Sequence, residues 1–316
     1  MDLVTGGAGF IGSHLVEELV RRGRHVRVLD DFSTGRRAYL AAVLTSVEIL
    51  EDDILDPAAL RRAMRGVERV FHQAALRSVP RSVEDPITTD RVNVEGTLQV
   101  LAAARRAGIR RVIYASSSSV YGASDGGPQR EDDRPRPVSP YAVSKLAGEH
   151  YCRVFSRLYG LPTVSLRYFN VFGPRQDPTS TYAAVIPRFI HAALAGESLE
   201  IHGDGLQSRD FTHVRNVVVA NCLAADAAGV DGEVLNVARG KGHSLMDIIA
   251  WLSRRLAPER LTVRWHHTPP RPGDVQHTLG AIDRAARLLG YQPAVSFRAG
   301  LEDTLRWVAR VPQSTP

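Results

Sequence analysis

Thr5-Gly6-Gly7-Ala8-Gly9-Phe10-Ile11-Gly12-Ser13-His14 is the stretch that decides the fold. It follows the short apolar run Leu3-Val4 and opens a helical pattern over residues 12–22. Glycines at 6, 9 and 12 permit a tight turn, a close backbone approach to a ligand and close packing of the helix behind it. The helix N-terminus offers oriented N–H groups to negative charge. Alone, such a pattern also describes an ordinary turn. Here a strand precedes it, a helix follows, and Asp30 ends the second apolar run, His25-Val26-Arg27-Val28-Leu29. That context reads as the pyrophosphate loop of a dinucleotide site. A carboxylate at this point accepts hydrogen bonds from the adenine-ribose hydroxyls and repels a 2′-phosphate, which selects NAD over NADP. Arg36 and Arg37 could hold a 2′-phosphate in principle, yet they follow Asp30 by several residues.

Working outward, β-branched runs at 3–5, 25–30, 47–50, 69–73, 111–116 and 163–168 read as strands. Helix-length segments at 12–22, 57–65 and 93–107 lie between them. Strands alternating with helices imply βαβ units and a parallel sheet covered on both faces. The predicted class is therefore α/β, a Rossmann-like doubly wound parallel sheet with a smaller mixed α/β substrate domain. The first domain is expected over 1–170 and the second over 171–316, with 209–237 returning to the first.

The composition narrows the function classes. The chain has 316 residues, of which 44% are hydrophobic and 23% charged. These values are near globular averages and exclude a largely disordered chain. No uncharged apolar run approaches the roughly 18 residues of a membrane helix, and no signal-peptide pattern opens the sequence, so a cytoplasmic protein without membrane contact is expected. Cys152 and Cys222 lie far apart without metal-ligand spacing, which predicts buried free thiols, no disulfide and no metal site. The net charge of +6 is scattered over helical stretches such as Arg21-Arg22 and Arg61-Arg62, which argues against nucleic acid. Only two of the 40 basic residues are lysine, Lys145 and Lys241, so a lysine within a motif stands out.

Lys145 closes such a motif, Tyr141-Ala142-Val143-Ser144-Lys145, introduced by Pro140 at a first helical turn. Residues four apart share a helix face. The apolar stripe Val143, Ala147, Tyr151, Val154 and Leu158 falls on the opposite side, and the pattern predicts that stripe to be the buried one. A second motif, Tyr114-Ala115-Ser116-Ser117-Ser118-Ser119-Val120-Tyr121-Gly122, leaves the carboxyl end of the fifth strand, where open α/β sheets place their ligand crevice. Four successive serines serve poorly as core.

With these motifs the chain resembles the extended short-chain dehydrogenase/reductase family, and within it the NAD-dependent nucleotide-sugar 4-epimerases. The markers run nearly end to end: TGGAGFIGSHL at 5–15, Asp30, Asp53-Ile54, HQAAL at 72–76, Asn93, the serine run, SPYAVSK at 139–145, LRYFNVFGPRQDP at 166–178, HGDGLQSRDF at 202–211 and RPGD at 271–274. HQAALRSVPRSVEDP, RQDPTSTYAAVIPRF and GDVQHTLGAI look most like bacterial epimerases acting on UDP-N-acetylglucosamine as well as UDP-glucose.

The resemblance implies a mechanism and a set of roles. Tyr141, as phenolate, removes the sugar 4-hydroxyl proton while hydride leaves sugar C4 for the nicotinamide. Lys145 stabilises the phenolate, and Ser117 hydrogen-bonds the same sugar oxygen. A tyrosine with an ordinary pKa near 10 needs such help at neutral pH. Gly6, Gly9, Phe10, Ile11 and Gly12 are implied at the pyrophosphate, Asp30 at the ribose, Asp53 and Ile54 at the adenine, with Asn93 and Tyr168 as further cofactor contacts. Asn170, Ala184, Val185, Arg209, Arg271 and Asp274 are implied at the UDP-sugar, the two arginines on its diphosphate. Thr278 would line the pocket near the sugar 2-substituent. A homodimer is also implied.

Arg77 departs from the pattern, standing where close relatives carry glycine; it either adds charge near the diphosphate or faces solvent. A sugar-nucleotide 4,6-dehydratase would need an Asp-Glu pair where Ser118 and Ser119 stand. A UDP-glucuronate 4-epimerase carries a basic residue at the position of Asp177, whose charge would repel a uronate. A catalytically silent NAD-binding sensor would lack Tyr141, Lys145 or Ser117.

Overall fold

The computed structural model describes residues 1–122, 127–178, 184–269 and 275–310. Six of its strands match the six predicted runs: β1 (Asp2–Thr5), β2 (Val26–Asp30), β3 (Val47–Glu51), β4 (Arg69–His72), β5 (Arg111–Ser117) and β6 (Thr163–Tyr168). With the strand Glu233–Val237 they form one seven-stranded sheet in the order Glu233–Val237, β6, β5, β4, β1, β2, β3, and every neighbouring pair is parallel. Residues of β1, β2, β4 and β6 are buried throughout, as expected of parallel strands covered on both faces. The chain order reverses between β1 and β4. That reversal is the switch point outside whose carboxyl ends a ligand crevice opens.

Each face of the sheet carries its own core. Val16, Phe71, Ile113, Val217 and Tyr291 belong to one; Leu29, Leu60, Val100, Tyr114 and Phe155 belong to the other. A third cluster, with Phe172, Ile190, Phe211, Ile249 and Leu301, binds together the helices Val185–Leu194, Leu245–Leu256 and Phe297–Val308. Cys152 and Cys222 are buried and free.

Two local expectations are corrected. The helix predicted over 93–107 begins with a π-helical turn, Arg91–Glu95, and becomes α-helical only at Gly96–Arg106. The helix Pro140–Tyr159 is capped by Ser139, whose hydroxyl accepts the Ala142 N–H, and ends at Gly160 in the left-handed region. Its buried face, however, is the reverse of the one predicted. Val143, Val154 and Leu158 are 51%, 42% and 72% exposed, whereas Lys145, Gly148, Glu149 and Cys152 are buried.

The reason lies across the interface in β5 and β6. A Cβ on Gly148 would sit 2.2 Å from the Tyr114 hydroxyl, so only glycine lets the helix approach β5 this closely. Glu149 is neutralised by Arg167 through two bonds of 2.9 and 2.8 Å. The Lys145 ammonium donates to the Ala115 carbonyl at 2.9 Å. Paired and hydrogen-bonded polar groups can therefore pack where an apolar stripe was expected.

Candidate active site

A cleft of about 630 Å³ opens beyond the carboxyl ends of the central strands. Its floor is the phosphate loop. Gly6 holds φ +67° with the Ala74 backbone nitrogen 2.6 Å from where a Cβ would be, a place closed to any other residue. Gly9 is the N-cap of the helix Phe10–Arg21 and supplies no side-chain cap, so the first N–H groups of that helix are left for an anion. These features fit the pyrophosphate of a dinucleotide.

Asp30 lines the cleft beside the phosphate loop. Its Oδ2 accepts the Ala8 N–H at 2.8 Å and its Oδ1 the Phe32 N–H at 2.9 Å. Burial raises its pKa and these two bonds oppose that rise. Asp53 and Ile54 line the cleft too, as do Ser117, Tyr141, Lys145 and Tyr168.

Burial pushes the Tyr141 phenol up, and the Ser117 hydroxyl and the Arg77 guanidinium pull it back. The Lys145 ammonium lies 5.1 Å from the centre of the Tyr114 ring, and burial lowers its pKa to about 8. Ser117 accepts the Ser119 N–H at 3.1 Å, which fixes its hydroxyl at the start of the short helical turn Ser118–Tyr121. Tyr168 takes hydrogen bonds from Gln73 at 3.1 Å and from Asn221 at 2.8 Å, and burial pushes its phenol up to about 12.

The other residues expected at the site fall in three places. Asn93 lies behind the cleft wall: its amide takes the Leu76 N–H, donates to the Leu76 carbonyl and to Ser144, and so fastens the HQAAL loop to the helix bearing Tyr141. Asn170, Arg209 and Thr278 are tied together by hydrogen bonds. Asn170 donates to the Thr278 hydroxyl at 2.9 Å, the Thr278 N–H bonds the Ser208 carbonyl at 3.1 Å, and Arg209 donates to Ser208 and Gln276 carbonyls. Ala184 and Val185 begin the helix Val185–Leu194. Arg271 and Asp274 lie outside the described residues.

Arg77 is exposed and lines the cleft, where its charge acts on Tyr141. Asp177 lines the cleft as well, its carboxylate paired with Arg36 at 2.6 Å.

Gln73, Arg175 and Gln176 also line the cleft, and the sequence reading gave none of them a role there; Arg36, weighed only as a holder of a 2′-phosphate, lines it too. Gln73 could have been found: it follows β4, and residues leaving the carboxyl ends of strands beside the switch point line the crevice. Arg175 and Gln176 arrive on a loop that only tertiary structure brings over the first domain. There His14 bonds the Pro174 carbonyl at 3.0 Å and Arg175 pairs with Glu17.

The fold, the phosphate loop and the Ser117, Tyr141 and Lys145 cluster define an NAD-dependent enzyme of the extended short-chain dehydrogenase/reductase class. Residues 3–238 match the model of the NAD dependent epimerase/dehydratase family, and the chain belongs to that family. A UDP-glucose 4-epimerase of Mycolicibacterium smegmatis is 40% identical over 311 residues, covering 96% of this chain and 97% of that protein. Among solved structures, a UDP-N-acetylglucosamine 4-epimerase of Methanobrevibacter ruminantium in complex with UDP-N-acetylmuramic acid superposes with a TM-score of 0.91 at 39% identity, covering 98% of this chain and 97% of the other. The Thermus thermophilus UDP-glucose 4-epimerase complex with NAD gives 0.88 at 37% identity, covering 98% and 99%. NAD is the cofactor of this enzyme. Among the described residues no helix is long and apolar enough to cross a membrane, and no cluster of ligating side chains could hold a metal.

Proposed function

We propose that the enzyme inverts C4 of UDP-hexoses, interconverting UDP-N-acetylglucosamine with UDP-N-acetylgalactosamine and UDP-glucose with UDP-galactose. The observation that carries this reading is the convergence of Ser117, Tyr141 and Lys145 on one wall of a cleft whose floor is the phosphate loop. Bound NAD supplies the acceptor and then the donor of the hydride at sugar C4. Tyr141 takes the 4-hydroxyl proton and later returns one. Ser117 holds the same oxygen and lowers the cost of the phenolate. Lys145, buried and charged below about pH 8, keeps positive charge beneath the reacting end. Arg209, Arg271 and Asp274 are assigned to the nucleotide end, with Asn170, Ala184 and Val185, and the segment 171–316 to substrate binding apart from its return over 209–237.

Elimination is disfavoured because Ser118 and Ser119 occupy the positions where a dehydratase needs carboxylates. Thr278 is small and leaves space for a 2-acetamido group, which supports both pairs of sugars. The enzyme is assigned as a homodimer. The exposed Val143, Val154 and Leu158 stripe, with Ile87 at 79% exposure on the adjoining helix Pro86–Asp90, is an apolar face suited to a second copy.

Separate incubation of the protein with UDP-glucose, UDP-N-acetylglucosamine and UDP-glucuronate, read by NMR, tests the assignment. Formation of the C4 epimers of the first two supports it. Turnover of the uronate alone would replace it.

A further inference from the structure

Arg36 and Arg37 are the first cations to follow Asp30 in sequence, and the structure commits both to carboxylates. Arg37 pairs with Glu51 at the end of β3 and lays its guanidinium 4.5 Å from the centre of the Phe32 ring. Arg36 pairs with Asp177 at 2.6 Å and lies 6.0 Å from the centre of the Tyr39 ring. The two partners of Arg36 differ in origin: Tyr39 is a near neighbour in sequence, whereas Asp177 comes from the loop following the short strand Val171–Phe172.

Arg36 is also the better placed of the two for the ribose. Its backbone N–H bonds the Ala8 carbonyl of the phosphate loop at 3.0 Å. The preceding Gly35 is pressed against Asp30, since a Cβ there would fall 2.7 Å from Oδ1. The Arg36 side chain therefore leaves the backbone beside the carboxylate assigned to the ribose hydroxyls. Ser33, Thr34, Arg36 and Asp177 all line the cleft. A guanidinium binds one carboxylate or one phosphate with its fork of N–H groups, and commitment to the first competes with the second.

We infer that Asp177 is a cofactor-selectivity residue: by holding Arg36 it withholds the guanidinium best placed to receive a 2′-phosphate. NADP is then rejected twice, once by the charge of Asp30 and once because the compensating cation is engaged elsewhere. This inference rests on NAD binding and not on the identity of the sugar, and its readout is the nucleotide held rather than turnover.

The test uses protein equilibrated with equal concentrations of NAD and NADP, freed of unbound nucleotide and denatured, with the released pair quantified by chromatography. Equilibrium is approached from protein loaded with either nucleotide. Asp30→Ser is the starting background, because it removes the direct repulsion. Adding Asp177→Asn to it is expected to raise the NADP-to-NAD ratio by about tenfold, the scale of one additional charge-assisted hydrogen bond. Adding Arg36→Ala as well should erase that gain. Arg36→Ala in the Asp30→Ser protein that retains Asp177 should leave the ratio unchanged, since that guanidinium is already committed. An unchanged ratio on adding Asp177→Asn, a gain that survives Arg36→Ala, or a loss on removing Arg36 while Asp177 remains would each overturn the inference. Melting of each variant with saturating NAD identifies any that fails to fold, and the Arg36 arm stands independently of the Asp177 arm.

Discussion

The Asn170 side-chain amide donates to the Thr278 hydroxyl at 2.9 Å, joining the residue that follows β6 by two positions to a segment more than 100 residues away. That bond fixes the side chain assigned to the sugar 2-substituent. Thr278→Tyr is expected to abolish turnover of UDP-N-acetylglucosamine and largely spare UDP-glucose, a steric exclusion. Thr278→Val, which keeps the volume and loses the bond, should leave both substrates accepted. Steady-state kinetics on both sugars check this; equal loss of both activities in Thr278→Tyr would remove Thr278 as the gate.

Tyr141→Phe deletes the proton acceptor and leaves the phosphate loop and Asp30 untouched. In this variant kcat is expected to fall by about 10²–10⁴-fold with UDP-sugar affinity nearly unchanged. Ser117→Ala should cost less, because it removes a hydrogen bond to the phenolate and not the base itself. Rapid-quench turnover together with calorimetric binding separates the two effects.

Lys145 gives a pH prediction. Its pKa is lowered by burial from 10.5 to about 8 in the folded protein. Between those values the unfolded chain holds the proton and the folded one does not, so this group's contribution to stability improves as pH rises from about 8 to about 10.5. Below pH 8 both states are charged and the burial cost is present in full, on the order of 3 kcal/mol. In nucleotide-free protein, Lys145→Met should therefore be more stable than the parent at about pH 7, with the advantage shrinking above about pH 8, while activity is lost. Urea melts of both proteins at about pH 7, 9 and 10 measure the difference. A pH-independent difference would contradict the assignment.

Glu149 and Arg167 are both buried, and their bidentate pair is what lets the helix Pro140–Tyr159 lie against β5 and β6. Glu149→Gln leaves Arg167 without its counter-charge and should cost about 3–5 kcal/mol. Replacing both by methionine should cost much less, because no uncompensated charge remains. Chemical denaturation of the single and double variants tests this.

That helix also shows what the sequence could and could not disclose. The six strands through β6 were legible because each carries a short run with β-branched or other apolar residues, separated from the next by a connecting or helix-length segment. The phosphate loop was legible because its glycines are required by local backbone geometry. The buried face of the helix was not, since it depends on Gly148 meeting Tyr114 and on Glu149 meeting Arg167, contacts between segments apart in sequence. The periodicity was right and the sign was wrong: polar residues with partners elsewhere outweighed an apolar stripe left facing outward. The engagement of Asn93 with Leu76 and Ser144, and the pairing of Arg36 with Asp177, were hidden for the same reason.

The outward stripe makes the assembly testable. Leu158→Asp with Val154→Asp should convert a dimer to monomers, read by light scattering on a sizing column, because two charges would be buried in the proposed interface. Unchanged mass would place the interface elsewhere.

The central claim, transient oxidation at C4 by a cofactor that stays bound, is tested most directly with UDP-glucose or UDP-N-acetylglucosamine carrying deuterium at sugar C4, incubated in ordinary water. If the hydride removed from C4 is held on the bound cofactor and returned to the opposite face, the 4-epimer keeps its deuterium at C4, as NMR would show. Epimer formed with loss of that deuterium to water would contradict the account, since it would mean that C4 was inverted through proton exchange.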